Sequence, residues 1–132
     1  MTTRVTIRQA EGALRAYCTT IRAPYGQYVT LHDPTAPLTI DQDGRTFPVR
    51  VLSTHDDGRR FCTIPGGYAL DGAYSGYSIT RISDELHRDG RPVTGISHPL
   101  GDGYWTPREL VDQLRAARFA VIDERARHEV TS

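Results

Sequence analysis

Residues 106–121, TPRELVDQLRAARFAV, carry the clearest secondary-structure signal in the chain. Thr106 suits a helix cap, Pro107 suits the first helical position, and Glu109 has the spacing of a capping box. Apolar residues then recur at intervals of four, three and four, namely Leu110, Leu114, Ala117 and Val121. This pattern predicts a C-terminal helix. A final strand over residues 119–123 is left open as an alternative, and the polar residues 125–132 are expected to fray.

A second amphipathic pattern lies near the N-terminus, over residues 6–22. Thr6 and Gln9 have capping-box spacing, and the residue before Pro24 disfavours helical geometry. One helical face collects the apolar residues Ile7, Ala10, Leu14, Tyr17, Cys18 and Ile21. We therefore expect an N-terminal helix; a short strand over residues 4–8, followed by a helix from Gln9, is the alternative.

The segment between these helices begins with strand signals. Four runs rich in β-branched or aromatic residues lie at 27–32, 38–40, 46–52 and 60–64, and Asp43-Gly44 is a strong hairpin turn. The expected fold class is α+β: an N-terminal helix, an antiparallel meander of three to five strands, and a C-terminal helix packed on the sheet. The length of 132 residues fits a single domain over residues 1–132.

Residues 65–103 give weaker signals. Residues 65–77 contain four glycines and three tyrosines, which predicts a long loop. Ile79, Ile82 and Leu86 then have helical spacing before Gly90, a candidate helix C-cap. A strand is expected over residues 91–97, and a second irregular loop over residues 98–103.

Two segments resemble the DNA-binding "recombinase" segment of serine recombinases. They are Tyr77-Ser-x-x-x-Ile-x-x-x-Leu-x-x-x-Gly90 and Trp105-Thr-x-x-x-Leu-x-x-x-Leu114, and with the spacer between them they span about a third of the chain. The resemblance implies a helix in each segment. The spacer between Gly90 and Trp105 is long for that family and no catalytic-domain pattern accompanies it, so we do not assign the chain to the family.

Charge and composition indicate a globular protein with a balanced surface. Sixteen arginines and no lysine oppose sixteen acids, so the formal net charge is zero. Arginine without lysine is typical of GC-rich bacterial genomes and their mobile elements; selection for phosphate or carboxylate contacts is the alternative. The sequence shows neither a signal-peptide pattern nor a long apolar run, which favours a cytoplasmic, non-membrane protein. Cys18 and Cys62 are expected to be reduced thiols.

Histidine and aspartate occur together at two places, 32–33 and 55–57, each before a turn residue. Turn capping by aspartate explains both pairs, so we expect no metal site and no cofactor. If a metal were held, the candidate ligands would be His32, His55, Asp57 and His98. No nucleophile or phosphate-loop motif is present.

Aromatic residues among glycines are the best candidates for binding, and we expect the loops that carry them to be exposed. Tyrosine and tryptophan offer large contact areas at low entropic cost, although they could also fold inward to cover a small sheet. Arginines spaced by seven on the first helix could follow phosphates, or could be a solvated face. The candidate binding residues are Tyr68, Tyr74, Tyr77, Tyr104, Trp105, Arg8, Arg15 and Arg22.

The leading functional hypothesis is a small non-enzymatic binding or regulatory accessory protein of a bacterium, such as one from a phage or plasmid. It would bind a protein or nucleic-acid partner through the Tyr/Gly-rich loops, with nucleic-acid contacts confined to the first helix. The alternative is a small hydrolase or isomerase that uses His and Asp residues beside the same loops. A third hypothesis is a structural subunit, and the sequence leaves homo-oligomerisation open.

Overall fold

Two α-helices frame the chain in a computed structural model that describes residues 4–73 and 76–131. Helix α1 comprises Ile7–Ile21, and its capping box is formed: the Thr6 N–H donates to Gln9 Oε1 at 2.7 Å. The prediction of an N-terminal helix with this cap is confirmed. The alternative strand over residues 4–8 is wrong, because Thr6 already caps a helix that begins at Ile7.

Helix α2 comprises Pro107–Thr131 and begins with the predicted second capping box. The Thr106 N–H donates to Glu109 Oε1 at 3.1 Å, and the Glu109 N–H donates to Thr106 Oγ1 at 3.2 Å. The alternative strand over residues 119–123 is wrong, because these residues continue the helix. Residues 125–131, which were expected to fray, are helical as well. Charged pairs four residues apart support this last part, including Arg127 Nη2 to Asp123 Oδ2 at 2.8 Å.

The described strands form three small antiparallel sheets. Their bounds are β1 Tyr28–Leu31, β2 Thr39–Gln42, β3 Arg45–Pro48, β4 Arg50–Thr54, β5 Arg60–Thr63, β6 Tyr68–Ala73, β7 Gly76–Ile82 and β8 Ile96–Ser97. The strand order is β1-β5-β4 in the first sheet, β2-β3 in the second, which is a hairpin, and β6-β7-β8 in the third. The α+β class, with an N-terminal helix, antiparallel strands and a packed C-terminal helix, is confirmed. That the chain is one domain stays a prediction.

The predictions for residues 65–97 are mostly wrong. The expected loop over 65–77 is largely the hairpin of β6 and β7, and the expected helix from Ile79 is the strand β7. Only Ile96–Ser97 of the strand expected over 91–97 is formed. The hairpin prevails because it is buried on both faces: Tyr68 and Ile79 belong to the main core, and Ser78 and Thr80 on the other face of β7 are buried as well.

Two hydrophobic clusters hold these elements together. The larger one joins α1, α2 and the β6-β7 hairpin, with Leu14, Ile79 and Leu114 almost fully buried. The smaller one lies between the first sheets, around Val49, Cys62 and Ile64. Cys18 and Cys62 lie in different clusters as free thiols. Among the residues described, no helix has the length and apolar character of a membrane span.

Candidate functional site

The segment before α2 is fastened to the edge of β7. The Trp105 N–H donates to the Tyr77 carbonyl at 2.8 Å, and the Tyr77 N–H donates to the Trp105 carbonyl at 3.0 Å. Gly76 permits this approach, because a Cβ there would lie 3.1 Å from the Tyr104 Cβ and 3.2 Å from the Trp105 N. Tyr104 is thus held on a fixed backbone with 51% of its surface exposed.

Two of the candidate aromatic side chains cover glycines near them. The Tyr77 ring lies across the hairpin over Gly72, where an added Cβ would be 3.1 Å from Tyr77 Cε1. The Trp105 ring lies beside Gly101 and Gly103, where an added Cβ would be 3.9 Å and 3.5 Å away. Both aromatic residues are half-buried against the main core. The alternation of aromatic residues and glycine therefore has a partly structural cause, because an aromatic ring packs over each glycine where the glycine has no side chain of its own.

Tyr68 does not add to this exposed surface. Tyr68 is buried in the main core, where its ring meets Tyr17 edge-on at 6.1 Å between centroids. Burial raises the pKa of the Tyr68 phenol. The expectation that Tyr68 is exposed is therefore wrong, because its strand turns this side chain towards α1. Tyr74 lies outside the described residues. We call the exposed Tyr104, together with the half-buried Tyr77 and Trp105 at the pairing of β7 with the segment before α2, the aromatic surface.

The predicted arginine row on α1 is partly engaged within the chain. Arg15 Nε lies 3.5 Å from Asp43 Oδ2, and its guanidinium stands 5.8 Å from the centre of the Tyr25 ring. Arg22 ends α1 in a left-handed conformation with φ of 62°. Arg8 is exposed on the first turns. Phosphate binding along this row would thus have to compete with the contacts of Arg15.

The histidines and acidic residues serve turns instead of meeting at one centre. Asp57 accepts from the backbone N–H of Arg59 at 3.0 Å, and this bond lowers the pKa of its carboxyl. His98 Nδ1 lies 3.3 Å from Asp102 in a separate loop. Across residues 4–73 and 76–131, no three His, Cys, Asp or Glu side chains are grouped so as to hold a metal ion.

A groove between α1 and α2 was missed by the sequence reasoning. It has a volume of about 380 Å³, and its rim carries Arg108, Arg115 and Arg118. The sequence feature that could have indicated the groove is the spacing of seven and three residues between these arginines, which places them on one side of α2. The sequence did not show that α1 would lie beside them.

Comparison with known proteins gives no relative: no protein family, no curated protein and no solved structure matches this chain.

Proposed function

We propose that this chain is a small non-enzymatic binding protein that contacts a protein partner through the aromatic surface. The observation that carries the proposal is Tyr104, which is 51% exposed on a segment held by two backbone hydrogen bonds between Trp105 and Tyr77. An exposed aromatic ring on a fixed backbone loses little entropy on binding, and such residues often dominate interface energies. Trp105 beside it combines a large apolar ring with one N–H donor.

A protein partner fits better than a nucleic acid. The formal net charge is zero, so the chain as a whole does not attract a polyanion. Arg15, the middle member of the predicted arginine row, already pairs with Asp43. Nucleic-acid binding is therefore an alternative outcome of the experiment below.

The wider role belongs to the same proposal. The role we propose is that of a regulatory or accessory protein in the bacterial cytoplasm, including one from a phage, plasmid or other mobile element. The use of arginine for every basic residue supports a bacterial source of this kind. A partner could also be a second copy of the chain, in which case the aromatic surface would form a homo-oligomer contact.

Site-specific photo-crosslinking tests the proposal. Benzoylphenylalanine replaces Tyr104 in one variant and Leu52, a similarly exposed residue on β4, in the control. Illumination in cells of the native host should give a discrete protein adduct from position 104 and none from position 52. The same adducts from both positions, or no adduct from position 104, would contradict the proposal, and a nucleic-acid adduct would exclude a protein partner.

A further inference from the structure

The groove between α1 and α2 has an apolar floor. Short or branched apolar side chains form this floor, namely Val5 just before α1, Ala13 and Ala16 on α1, and Val111 on α2. Alanines leave room between two packed helices where larger residues would fill it. From Arg108 to Arg118 the helix rises about 15 Å at 1.5 Å per residue. The groove is therefore long enough for about ten residues of another helix.

The rim of this groove carries excess positive charge. Arg108, Arg115 and Arg118 line it together with one acid, Asp112. Arg118 Nε donates to Thr20 Oγ1 at 2.9 Å, which anchors its side chain. In the part of the chain that the structure describes, none of these three arginines forms a salt bridge, whereas Arg15, Arg59, Arg81, Arg91 and Arg127 each pair with an aspartate.

We infer that the groove binds an acidic amphipathic helix of a partner protein. Apolar side chains of that helix, spaced i, i+3 or i+4, and i+7, would occupy the floor, as in other helix-in-groove complexes. Its carboxylates would face the arginines, whose planar donors match carboxylate geometry.

The distribution of charge favours a helix over a small acid. Arg108 and Arg118 lie at opposite ends of the groove, so one carboxylate cannot contact both across about 15 Å. A helix that carries several acidic residues along one side can contact all three arginines. This site is separate from the aromatic surface, and it does not depend on the function proposed there.

Selection from a displayed library of helical 14-residue peptides tests the inference on the whole protein. We expect the enriched peptides to carry Asp or Glu along one side and apolar residues at i, i+3 or i+4, and i+7. Enrichment of basic or uncharged peptides, or no enrichment, would overturn the inference. Decanoate is added as a competitor, and complete displacement of the peptides by it at low micromolar concentration would show that the groove is a small-acid site instead.

The best enriched peptide is then titrated by fluorescence anisotropy against the wild type and two variants. Arg108→Glu combined with Arg115→Glu should weaken its binding at least tenfold. Arg125→Glu, the matched control on the same helix outside the groove, should change it less than twofold. These are exposed positions, so circular dichroism should show unchanged folding. Equal binding by all three proteins, or equal loss in the control, would overturn the inference.

Discussion

Replacement of Gly67 by alanine should destabilise the protein strongly, because this glycine lies where two segments meet. A Cβ at Gly67 would overlap the carbonyl oxygen of Gly26 and lie 2.9 Å from the carbonyl oxygen of Ile64. Two backbone hydrogen bonds close the same junction: Gly26 N–H to the Tyr68 carbonyl at 2.7 Å, and Tyr68 N–H to the Pro24 carbonyl at 3.1 Å. The added methyl group must separate the two segments.

The expected loss follows from these contacts. Two backbone hydrogen bonds contribute about 1 kcal/mol each, and overpacking a tight site costs about 1–3 kcal/mol, so we expect a loss of about 3–5 kcal/mol. Gly12 is the matched control, because nothing lies within 4 Å of a Cβ there and it occupies the interior of α1. Gly12→Ala should stabilise the protein by about 0.5–1 kcal/mol.

Urea unfolding followed by circular dichroism measures both free energies of unfolding. A Gly67→Ala protein within about 1 kcal/mol of the wild type would refute the reasoning, since such a small loss is less than the overpacking alone predicts. A loss of equal size in Gly12→Ala would refute it too.

Two further predictions concern titrating groups. Cys18 and Cys62 are buried, and burial raises the pKa of both thiols, that of Cys18 to about 12. Neither thiol should therefore react with Ellman's reagent at pH 8 until urea unfolds the protein. Rapid reaction of the native protein would contradict this prediction. Backbone N–H donors of Thr35, Arg59 and Arg91 lower the pKa values of Asp33, Asp57 and Asp89. Because these pKa values are lower in the folded state, the stabilisation is present above the ordinary aspartate pKa and is lost as pH falls through the folded values. When all three aspartates are replaced by Asn, the free energy of unfolding should therefore fall less between about pH 5 and pH 2 than it does in the wild type. An equal fall in both proteins would contradict the claim that these three carboxylates stabilise the folded state.

Both helices could be predicted because their signals are local. Thr6 with Gln9, and Thr106 with Glu109, satisfy backbone donors within one turn, so their spacing is enough to locate the helix starts. The Asp43-Gly44 turn was predictable for the same reason: both residues adopt positive φ, 48° and 76°, which joins β2 to β3.

The β6-β7 hairpin could not be predicted in this way because distant contacts stabilise it. Gly72 weakens a strand by itself, but the Tyr77 ring covers it from the neighbouring strand. Ile79 and Ile82 have helical spacing, yet both are fully buried in a strand, because the core selects the strand over the local pattern.

The candidate site was predicted only in part. Tyr104 is exposed as expected, whereas Tyr68 fills the core, and no local pattern distinguishes the two tyrosines. The arginine-rimmed groove depends on the packing of α1 against α2, about 100 residues apart in the chain, as the bond between Thr20 and Arg118 shows. Residue spacing within one helix does not contain that information.

The most direct test of the proposed function uses Trp105, the only tryptophan in the chain, as a reporter. The partner identified by crosslinking is titrated into the wild type, Tyr104→Ala and the control Leu52→Ala while Trp105 emission is recorded. Tyr104→Ala removes the ring and keeps both backbone hydrogen bonds between Trp105 and Tyr77 available. If the aromatic surface binds the partner, Trp105 emission will shift on binding and Tyr104→Ala will weaken affinity at least tenfold, a loss typical of an interface hot spot of about 1.4 kcal/mol or more. An unchanged affinity in Tyr104→Ala, or an equal loss in Leu52→Ala, would contradict the account.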